Sequence, residues 1–452
     1  MRITVLGGSP KGAASVTMQY MKYIEKRFPG HDYEYHQVAQ RISLLERDPE
    51  KFQTVVDALT GSDLVVWAFP VYYMLCCAQY RRFMELLLER CPHRLKGIPA
   101  TILTTSIRFY DHTAHNYIQR VCSELGMPFC GGYSAESSDL FKGSERERLV
   151  CFFQTVLERV GTGRFQYTSA FSPSPTLSGY VPEGTRRIAV EGRWMVLADL
   201  STPGGNLEKM VSTLVNTIDG DVEMVDISRV DFKPCRGCCR CGPDNVCIHG
   251  EDPFIKLHRD RVRKADVVII AGVIKSGYLS SVWKRFFDRS FYMGHTPVLK
   301  GRQLGFLISG SLASEPNLRE ILLSWSEFQE TGVPEIVTDE VISSTELDTT
   351  MENMVRTLEY ARQQGFVPPP TFRRTGGHKL FRDYIWGELR PLFQADHRYY
   401  RRHGLYDFPH RRLSVRLMNL FLPHFLRLPP VKKKMLSMMP GAMLTRFRKL
   451  VG

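Results

Sequence analysis

The sequence has no long apolar run. None of its hydrophobic stretches reaches the ~20 residues that a helix needs to span a bilayer, and no signal peptide precedes the strand-like segment at residues 2–6. Six of the eleven cysteines are scattered through the first third of the chain, which is typical of a reducing compartment and not of a disulfide framework. We therefore expect a cytoplasmic protein. The scattered cysteines are Cys76, Cys77, Cys91, Cys122, Cys130 and Cys151.

The body of the chain lacks an excess of either charge. The net charge of the whole sequence is +13, but residues 371–452 carry eighteen Lys/Arg and four Asp/Glu, which is +14 and leaves −1 for residues 1–370. The basic character therefore belongs to the C-terminal segment. This distribution argues against a nucleic-acid-binding protein.

No catalytic nucleophile stands out either. Neither a Ser–His–Asp arrangement nor a carboxylate pair can be identified from the sequence. Any catalysis would then depend on a bound cofactor, with the protein holding it and excluding water.

Strand-like apolar runs alternate with helical periodicity, and they do so twice along the chain. Such alternation predicts βαβ units and a parallel sheet in each half. A helix near residues 348–364 is expected to close the second half. The expected strands lie near residues 2–6, 33–37, 63–69, 99–104 and 131–134, and then near 194–200, 221–226, 266–271, 303–308 and 334–338.

An internal repeat indicates that the two halves are copies. Residues 62–68, SDLVVWA, align without gaps on residues 265–271, ADVVIIA, at an offset of 203 residues. At the same offset, Arg-Phe at 82–83 matches Arg-Phe at 285–286. The fold class expected is therefore α/β, with two tandem doubly wound parallel-sheet domains.

The domain boundaries follow from composition. A Ser/Pro-rich segment separates the two copies, and a Pro-Pro-Pro run precedes the basic segment. We expect a first domain at 1–165, a linker at 166–189, a second domain at 190–366 and a basic helical tail at 367–452.

A loop rich in small and hydroxyl residues follows the first expected strand. It reads GGSPKGAASVT over residues 7–17 and leads into a helix, where backbone N–H groups and the helix dipole favour a phosphate. It matches neither Gly-x-Gly-x-x-Gly nor the Gly-Lys-Ser/Thr end of a triphosphate-binding loop. A mononucleotide is therefore favoured, and FMN is the one expected in a sheet of order 2-1-3-4-5. The alternative is a plain turn in which Ser15 caps the helix.

Candidates for contact with a flavin ring follow the third and fourth strands. Ligands of doubly wound sheets bind at the carboxyl ends of the strands, although aromatic residues there can also be simple core residues. The predicted FMN-binding residues are Ser9, Lys11, Ser15 and Thr17 at the phosphate, and Pro70, Val71, Tyr72, Thr105 and Ser106 at the ring.

Five of the eleven cysteines lie between residues 235 and 247. Four of them follow the pattern Cys-x2-Cys-x2-Cys-x5-Cys, which leaves Cys239 spare. Compact thiolate runs are typical of iron–sulfur clusters, whereas zinc sites usually combine two separated pairs. We expect a [4Fe–4S] cluster, with zinc and unmetallated thiols as the alternatives. The predicted ligands are Cys235, Cys238, Cys241 and Cys247.

These motifs resemble those of NAD(P)H-dependent FMN reductases in the flavodoxin-like superfamily, and the cysteine run resembles that of the iron–sulfur flavoproteins of anaerobes. The resemblance extends over about residues 1–345. It implies flavodoxin-like domains, FMN oxidoreductase activity coupled to a cluster, NAD(P)H or ferredoxin as the electron donor, and assembly into oligomers. The residues that carry it are Gly8-Ser9-Pro10-Lys11, Ser15, Thr17, Pro70-Val71-Tyr72, the cysteines and Asp288-Arg289.

The chain departs from these iron–sulfur proteins in how the motifs are distributed. There, one domain carries both the phosphate loop and the cysteines, whereas here the loop is in the first domain and the cysteines are in the second. In the second domain Val273-Ile274-Lys275 replaces Pro-Val-Tyr, and the loop at residues 201–206 is a weaker phosphate match. We expect one FMN, and hypothesise that the second domain brings its cysteines to the first domain's flavin. A duplicate that simply lost its flavin site is the alternative.

The basic tail allows three interpretations. It could lie on an anionic membrane surface, attract an acidic partner such as a ferredoxin, or pack on the two domains. Leu413, Leu417 and Phe421 share one helical face, and Pro423 is expected to end or kink that helix. We expect this short stripe to pack on the body, and we interpret His397 and His403 as structural.

A flavin-dependent oxidoreductase or electron-transfer protein is therefore the leading prediction. The alternative is a non-enzymatic redox sensor or scaffold with a degenerate pair of domains and a zinc or bare cysteine loop.

Overall fold

The structure, a computed structural model, describes residues 1–165, 175–332, 334–409, 413–435 and 437–438. It contains two parallel sheets with the same strand order, which confirms the predicted fold class. The first consists of β1 (Arg2–Gly7), β2 (Asp32–His36), β3 (Leu64–Pro70), β4 (Ala100–Ser106) and β5 (Phe129–Glu136), in the order β2-β1-β3-β4-β5. The second consists of β6 (Ile188–Ala198), β7 (Ile218–Asp226), β8 (Val267–Lys275), β10 (Gln303–Ser309) and β11 (Glu335–Thr338), in the order β7-β6-β8-β10-β11, and the short β9 (Tyr278–Leu279) pairs antiparallel with β8.

Helices cover both faces of each sheet, so the central strands are buried on both sides. Six of the seven residues of β3 are buried, as expected of a parallel strand between two helical layers. In the first domain the helices are α1 (Val16–Arg27), α2 (Ile42–Arg47), α3 (Pro49–Thr60), α4 (Ala78–Arg90), α5 (Asp111–Glu124) and α6 (Gly143–Thr162). In the second they are α7 (Asn206–Thr217), α8 (Pro253–Lys256), α9 (Ser281–Ser290), α10 (Pro316–Phe328) and α11 (Ser344–Gln364). The tail forms α12 (Phe372–Trp386), α13 (Gln394–Arg402) and α14 (Leu413–Phe425).

The ten expected strands all occur, and the largest difference is at β6. It begins at Ile188, six residues before the expected start. A register shift between Ala189 and Arg193 lets this early part pair with β7 before the regular ladder begins. Such a bulge breaks the apolar alternation from which a strand start is predicted.

The linker is only partly described. Residues 166–174 lie outside the described residues, so most of its Ser/Pro-rich part cannot be placed. The part that follows packs on the second domain, because Tyr180 is fully buried and its hydroxyl bonds to Thr213 at 3.2 Å and to Asp348. The predicted domain boundaries themselves stay predictions.

The two domains face each other through α4 and α9. The carboxylate of Asp288 on α9 accepts a 2.7 Å hydrogen bond from the backbone N–H of Ala78 at the start of α4. In return, the carboxylate of Glu85 on α4 accepts bonds of 2.8 and 2.6 Å from the backbone N–H and the hydroxyl of Ser281 at the start of α9. Each helix therefore supplies the acid that stabilises the N-terminus of the other.

A second pair of contacts repeats this exchange. Arg81 donates to the carbonyl of Lys275 at 2.5 Å, and Lys284 donates to the carbonyl of Tyr72 at 3.0 Å. In both exchanges the equivalent residues are 203 positions apart, the offset of the sequence repeat. Reciprocal contacts of this kind define a two-fold interface. The domains are thus packed like the two subunits of a homodimer.

The tail divides into a packed part and an exposed part. Phe381 and Ile385 of α12, with Tyr400 and Tyr406, form a buried cluster against the two domains. By contrast, none of the residues of α14 is buried, so the expectation that its apolar stripe packs on the body was wrong. Pro423 lies inside α14, which continues to Phe425. Within the described residues, no helix has the length and apolar character needed to cross a bilayer.

Candidate functional site

The loop between β1 and α1 is packed tightly against the end of β3. A Cβ on Gly8 would lie 2.6 Å from the Cβ of Phe69, so a larger residue would push the loop away. Ser15 is buried and caps α1, its hydroxyl oxygen accepting a 3.3 Å bond from the backbone N–H of Met18. This is the capping role named as the alternative. The hydroxyl proton of Ser15 is not used by that bond and can still be donated to a ligand.

Eight of the nine residues predicted to bind FMN line one cavity of about 580 Å³. They come from the carboxyl ends of β3 and β4 and from the loops after β1 and β3, which is where doubly wound sheets bind their ligands. The eight are Ser9, Lys11, Ser15, Pro70, Val71, Tyr72, Thr105 and Ser106.

Thr17, the ninth, lies behind the cavity wall. It is fully buried, and its hydroxyl oxygen is 2.6 Å from that of Thr105, which does line the cavity. Thr17 is therefore placed to orient Thr105, and its predicted contact with a phosphate stays a prediction.

The position of Tyr72 is fixed by a turn in which the next two residues have left-handed backbone conformations. Tyr73 and Met74 have φ values of +46° and +67°, which cost energy in non-glycine residues and persist only where the surroundings enforce them. Thr113 donates to the carbonyl of Met74 at 2.6 Å, and the indole N–H of Trp325 donates to the Tyr73 hydroxyl at 3.0 Å. The first and second domains therefore enforce this turn together.

Most of the remaining cavity wall comes from the second domain and the tail, a contribution that the sequence interpretation missed. Aromatic rings dominate it. The His295 ring lies 4.1 Å from that of Phe381 on α12 and 5.1 Å from that of Phe393, measured between centroids. Phe109 lies 4.6 Å from Phe381 and 5.0 Å from Phe328. The tail is thus part of the candidate site.

His295 is oriented by Asp396 of α13. The buried Asp396 carboxylate accepts a 3.1 Å bond from the backbone N–H of His295 and lies 2.7 Å from its Nδ1. A carboxylate at Nδ1 favours the tautomer with the proton on that atom, which leaves Nε2 as the ring atom available to a ligand. Gly294 permits this approach, because a Cβ there would overlap the Asp396 carboxylate.

All five cysteines of the 235–247 segment line a second cavity, of about 260 Å³. The two cavities share a wall. Tyr72 separates them, and its hydroxyl touches the cysteine segment where Gly237, with φ +62°, leaves no room for a Cβ. The residues that line both cavities are Lys11, Val71, Tyr72, Tyr73 and Phe291.

Arg289 anchors both ends of the cysteine segment. Its buried guanidinium donates to the carbonyl of Lys233 at 2.6 Å and pairs with both carboxylate oxygens of Asp252 at 2.8 and 3.1 Å. Such a two-point pair fixes geometry as well as charge. Together with the role of Asp288 in the interface, this accounts structurally for the Asp288-Arg289 motif.

The first domain and the tail hold the segment as well. Gln79 of α4 donates to the carbonyl of Cys235 at 2.9 Å. On the tail side, the backbone N–H of Ala395 donates to the carbonyl of Gly242 at 3.0 Å, and Arg398 donates to that of Pro243 at 2.7 Å. Three separate parts of the chain therefore position the cysteines.

The thiols of this segment are held in a partly dehydrated environment. Burial is the main cause that raises the pKa of both Cys235 and Cys241 to about 12, helped by the Asp288 carboxylate at Cys235 and by neighbouring thiols at Cys241. Among the described residues, no group of three or more His, Cys, Asp or Glu side chains is arranged to hold a metal ion. In a four-iron cluster the thiolate ligands are spread over several iron atoms. Four thiols around one cavity are the type of ligand that such a cluster uses.

The equivalent loop of the second domain is occupied by its own carboxylates. The backbone N–H of Leu200 donates to Asp226 at 3.3 Å, and that of Ser201 donates to Asp199 at 3.1 Å. These are N–H groups of the kind that a phosphate would use, and the carboxylates would repel one. The loop is therefore poorly suited to a second flavin phosphate.

The first domain matches a known family. Residues 1–139 match the model of the NADPH-dependent FMN reductase family. An iron–sulfur flavoprotein of Archaeoglobus fulgidus is 28% identical over 129 residues, which cover 27% of this chain and 58% of that protein. The match thus spans little more than half the length of this curated relative.

Solved structures of two oxidoreductases also align with part of the chain. An apo NADH:FMN oxidoreductase is 18% identical and covers 35% of this chain and 89% of its own, with a TM-score of 0.31. An NADPH-quinone reductase from P. pentosaceus is 14% identical and covers 34% of this chain and 96% of its own, with a TM-score of 0.27. In its first 139 residues the chain is thus similar to the NADPH-dependent FMN reductase family.

Proposed function

We propose that the protein is an NAD(P)H-dependent FMN oxidoreductase whose single flavin occupies the cavity of about 580 Å³. The observation that carries the proposal is that eight residues predicted from three separate segments of the chain line this one cavity. When bound, FMN accepts two electrons as a hydride and releases them in pairs or singly.

The chain's own residues bind and orient the flavin. Ser9, Lys11 and Ser15 surround the phosphate at the N-terminus of α1, where the helix dipole adds to their hydrogen bonds. Thr105 and Ser106 bond the polar edge of the ring. Tyr72 forms the wall toward the cysteines, and the His295 ring, oriented by Asp396, lies in the aromatic part of the cavity wall, where its Nε2 can accept a hydrogen bond from a ligand.

Replacing Ser15 and Thr17 together by Ala tests the phosphate end of the site. Loss of the Ser15 donor should weaken FMN binding by about 1.5–3 kcal/mol, the contribution of one bond to a charged group, and loss of the Thr17 support for Thr105 should add to this. FMN affinity is measured by fluorescence titration of the apoprotein. A flavin affinity equal to that of the unmodified protein would move the phosphate site elsewhere.

A matched control separates flavin loss from loss of a helix cap. Asp48 caps α3, accepting 3.1 Å bonds from the N–H groups of Glu50 and Lys51, and it is not in the cavity wall. Asp48→Ala should lower stability by about 1 kcal/mol and leave FMN affinity unchanged.

We further propose that Cys235, Cys238, Cys241 and Cys247 bind one [4Fe–4S] cluster beside the flavin. The shared wall of the two cavities supports this, and so does the similarity to a relative named as an iron–sulfur flavoprotein. In this arrangement the tandem repeat keeps one flavin site and one cluster site, which a pseudo-two-fold interface brings together. NAD(P)H is the proposed donor, and a ferredoxin is a second candidate.

The alternative is a redox sensor or scaffold without flavin. A visible spectrum of protein purified without oxygen decides between the two. Flavin bands on a broad iron–sulfur absorption are expected, whereas a colourless protein that contains zinc would favour the alternative.

A further inference from the structure

Among the described helices, α14 is the one that has a largely apolar surface and no buried residue. Eight of its thirteen residues are Leu, Val, Met or Phe, and none of the thirteen is buried. Leu413, Leu417, Leu420, Phe421 and Phe425 are between 48% and 66% exposed. Water contact at so many neighbouring apolar side chains is unfavourable and indicates an interaction surface.

One side of α14 carries no large apolar side chain, while Ser414 and His424 lie singly within the remainder. Arg416, Asn419 and Pro423 follow each other at spacings of three and four residues and therefore share one side of the helix. The rest of the circumference is mainly apolar. A helix with a broad apolar face and a narrow cationic one suits the boundary between lipid headgroups and acyl chains.

The charge around α14 has one sign only. The last acidic residue of the chain is Asp407, and residues 408–452 contain ten Lys/Arg and no Asp/Glu. A second copy of the same segment would bring like charges together, which opposes self-association. An anionic lipid surface is complementary, because each cation near it is attracted individually.

We propose that α14 docks the protein on an anionic membrane surface, its apolar face inserted among the lipids and its cations at the headgroups. This goes beyond the proposed redox function and does not depend on it. The preceding α13 is held on the second domain, where Asp396 pairs with His295 and Arg398 donates to the carbonyl of Pro243. Phe408 packs on Trp386 at the end of α12. Docking through α14 would therefore bring the flavin cavity, whose wall includes α12 and α13, to the membrane.

The test is cosedimentation of the full-length protein with phosphatidylcholine vesicles, with and without phosphatidylglycerol. We expect binding only to the vesicles that contain phosphatidylglycerol. Raising the salt from about 0.1 M to about 1 M should weaken it, because the screening length falls from about 10 to about 3 Å. The double variant Leu417→Ser and Phe421→Ser should bind at least about tenfold more weakly, since it removes two inserted side chains.

A control variant and two outcomes keep the test decisive. Phe141→Ser removes an even more exposed aromatic from the first domain, 86% exposed, and should leave vesicle binding unchanged. If the Leu417/Phe421 double variant bound vesicles as well as the unmodified protein, the contact would be purely electrostatic, of the kind that an acidic protein could also make. That result would overturn the proposal. So would the absence of vesicle binding, or a dimer in sedimentation that the double variant abolishes, since the helix would then be covered by a second copy.

Discussion

Asp288→Ala is expected to lower the free energy of unfolding by about 3–5 kcal/mol, the cost of removing one partner from a buried ion pair. Asp288 and Lys284 are both fully buried on α9 and in contact with each other. Burial raises the pKa of Asp288, and the Lys284 ammonium opposes that shift. Without the carboxylate, a buried positive charge keeps only the carbonyl of Tyr72, and the N–H of Ala78 loses its acceptor.

The measurement is urea unfolding of the purified variant, followed by tryptophan fluorescence. A suitable control is Asp57→Ala, the same substitution in a surface ion pair, because Asp57 is 59% exposed and 3.3 Å from Arg94. Exposed pairs contribute up to about 1 kcal/mol, so its midpoint should barely move. Equal shifts in the two variants would show that the buried pair does not stabilise the interface.

Substitution of Glu85, the equivalent of Asp288 in the first domain, provides an independent test of the same interface. Glu85 is the residue 203 positions before Asp288, and it too caps a helix of the other domain. If the domains separate as units, then losing either acid opens the same interface. The double variant should then be less destabilised than the sum of the two single variants, because contacts in one network do not act independently.

The duplication could be predicted from sequence because it is carried by central strands. Residues 62–68 and 265–271 lead into or form β3 and β8, which are buried between two helical layers and so remain apolar in both copies. The phosphate loop could be predicted for a similar reason, since a strand, a short loop and a helix follow one another directly along the chain.

Local sequence patterns could not predict the interface between the domains, or the part of the cavity wall that the second domain and the tail supply. Asp288 and Glu85 lie on amphipathic helices, where an acid is normally a solvent-exposed residue, and only the packing of one helix on the other buries them. His295 and Asp396 are 101 residues apart, with no shared motif. The tail was interpreted from its charge, whereas α12 and α13 act through their aromatic residues at the cavity wall.

The prediction that α14 packs on the body was wrong for a different reason. The spacing of Leu413, Leu417 and Phe421 does identify an apolar helical face. It contains no information on what covers that face, and the body offers α14 no burial. A periodic pattern predicts an element more reliably than it predicts the partner of that element.

The second prediction with a large effect concerns the cysteines. Cys241→Ser should lose the cluster, or retain it only as a degraded form, whereas Cys239→Ser should keep most of the iron. The even x2 spacing that joins Cys235, Cys238 and Cys241 is lost if Cys239 takes the place of Cys238. Soft thiolates are the ligands that such clusters select, and a serine hydroxyl is a poor substitute.

The structure adds a reason to distinguish these two thiols. The pKa of Cys241 is raised chiefly by burial and then by its neighbours Cys235, Cys239 and Cys247, so it lies among the proposed ligands. The pKa of Cys239 is also raised by burial, but the first opposing influence on it is Lys11 of the phosphate loop. Cys239 therefore lies toward the flavin side of the segment.

Iron and acid-labile sulfide are measured per chain after purification without oxygen, together with FMN content. We expect about four irons per chain in Cys239→Ser, as in the unmodified protein, and a large loss in Cys241→Ser. The FMN content should stay the same in both, because neither cysteine lines the flavin cavity. If both variants hold equal iron, the ligand assignment is wrong. Zinc in place of iron in all three proteins would instead favour the non-enzymatic alternative, in which the second domain is a structural partner of the first.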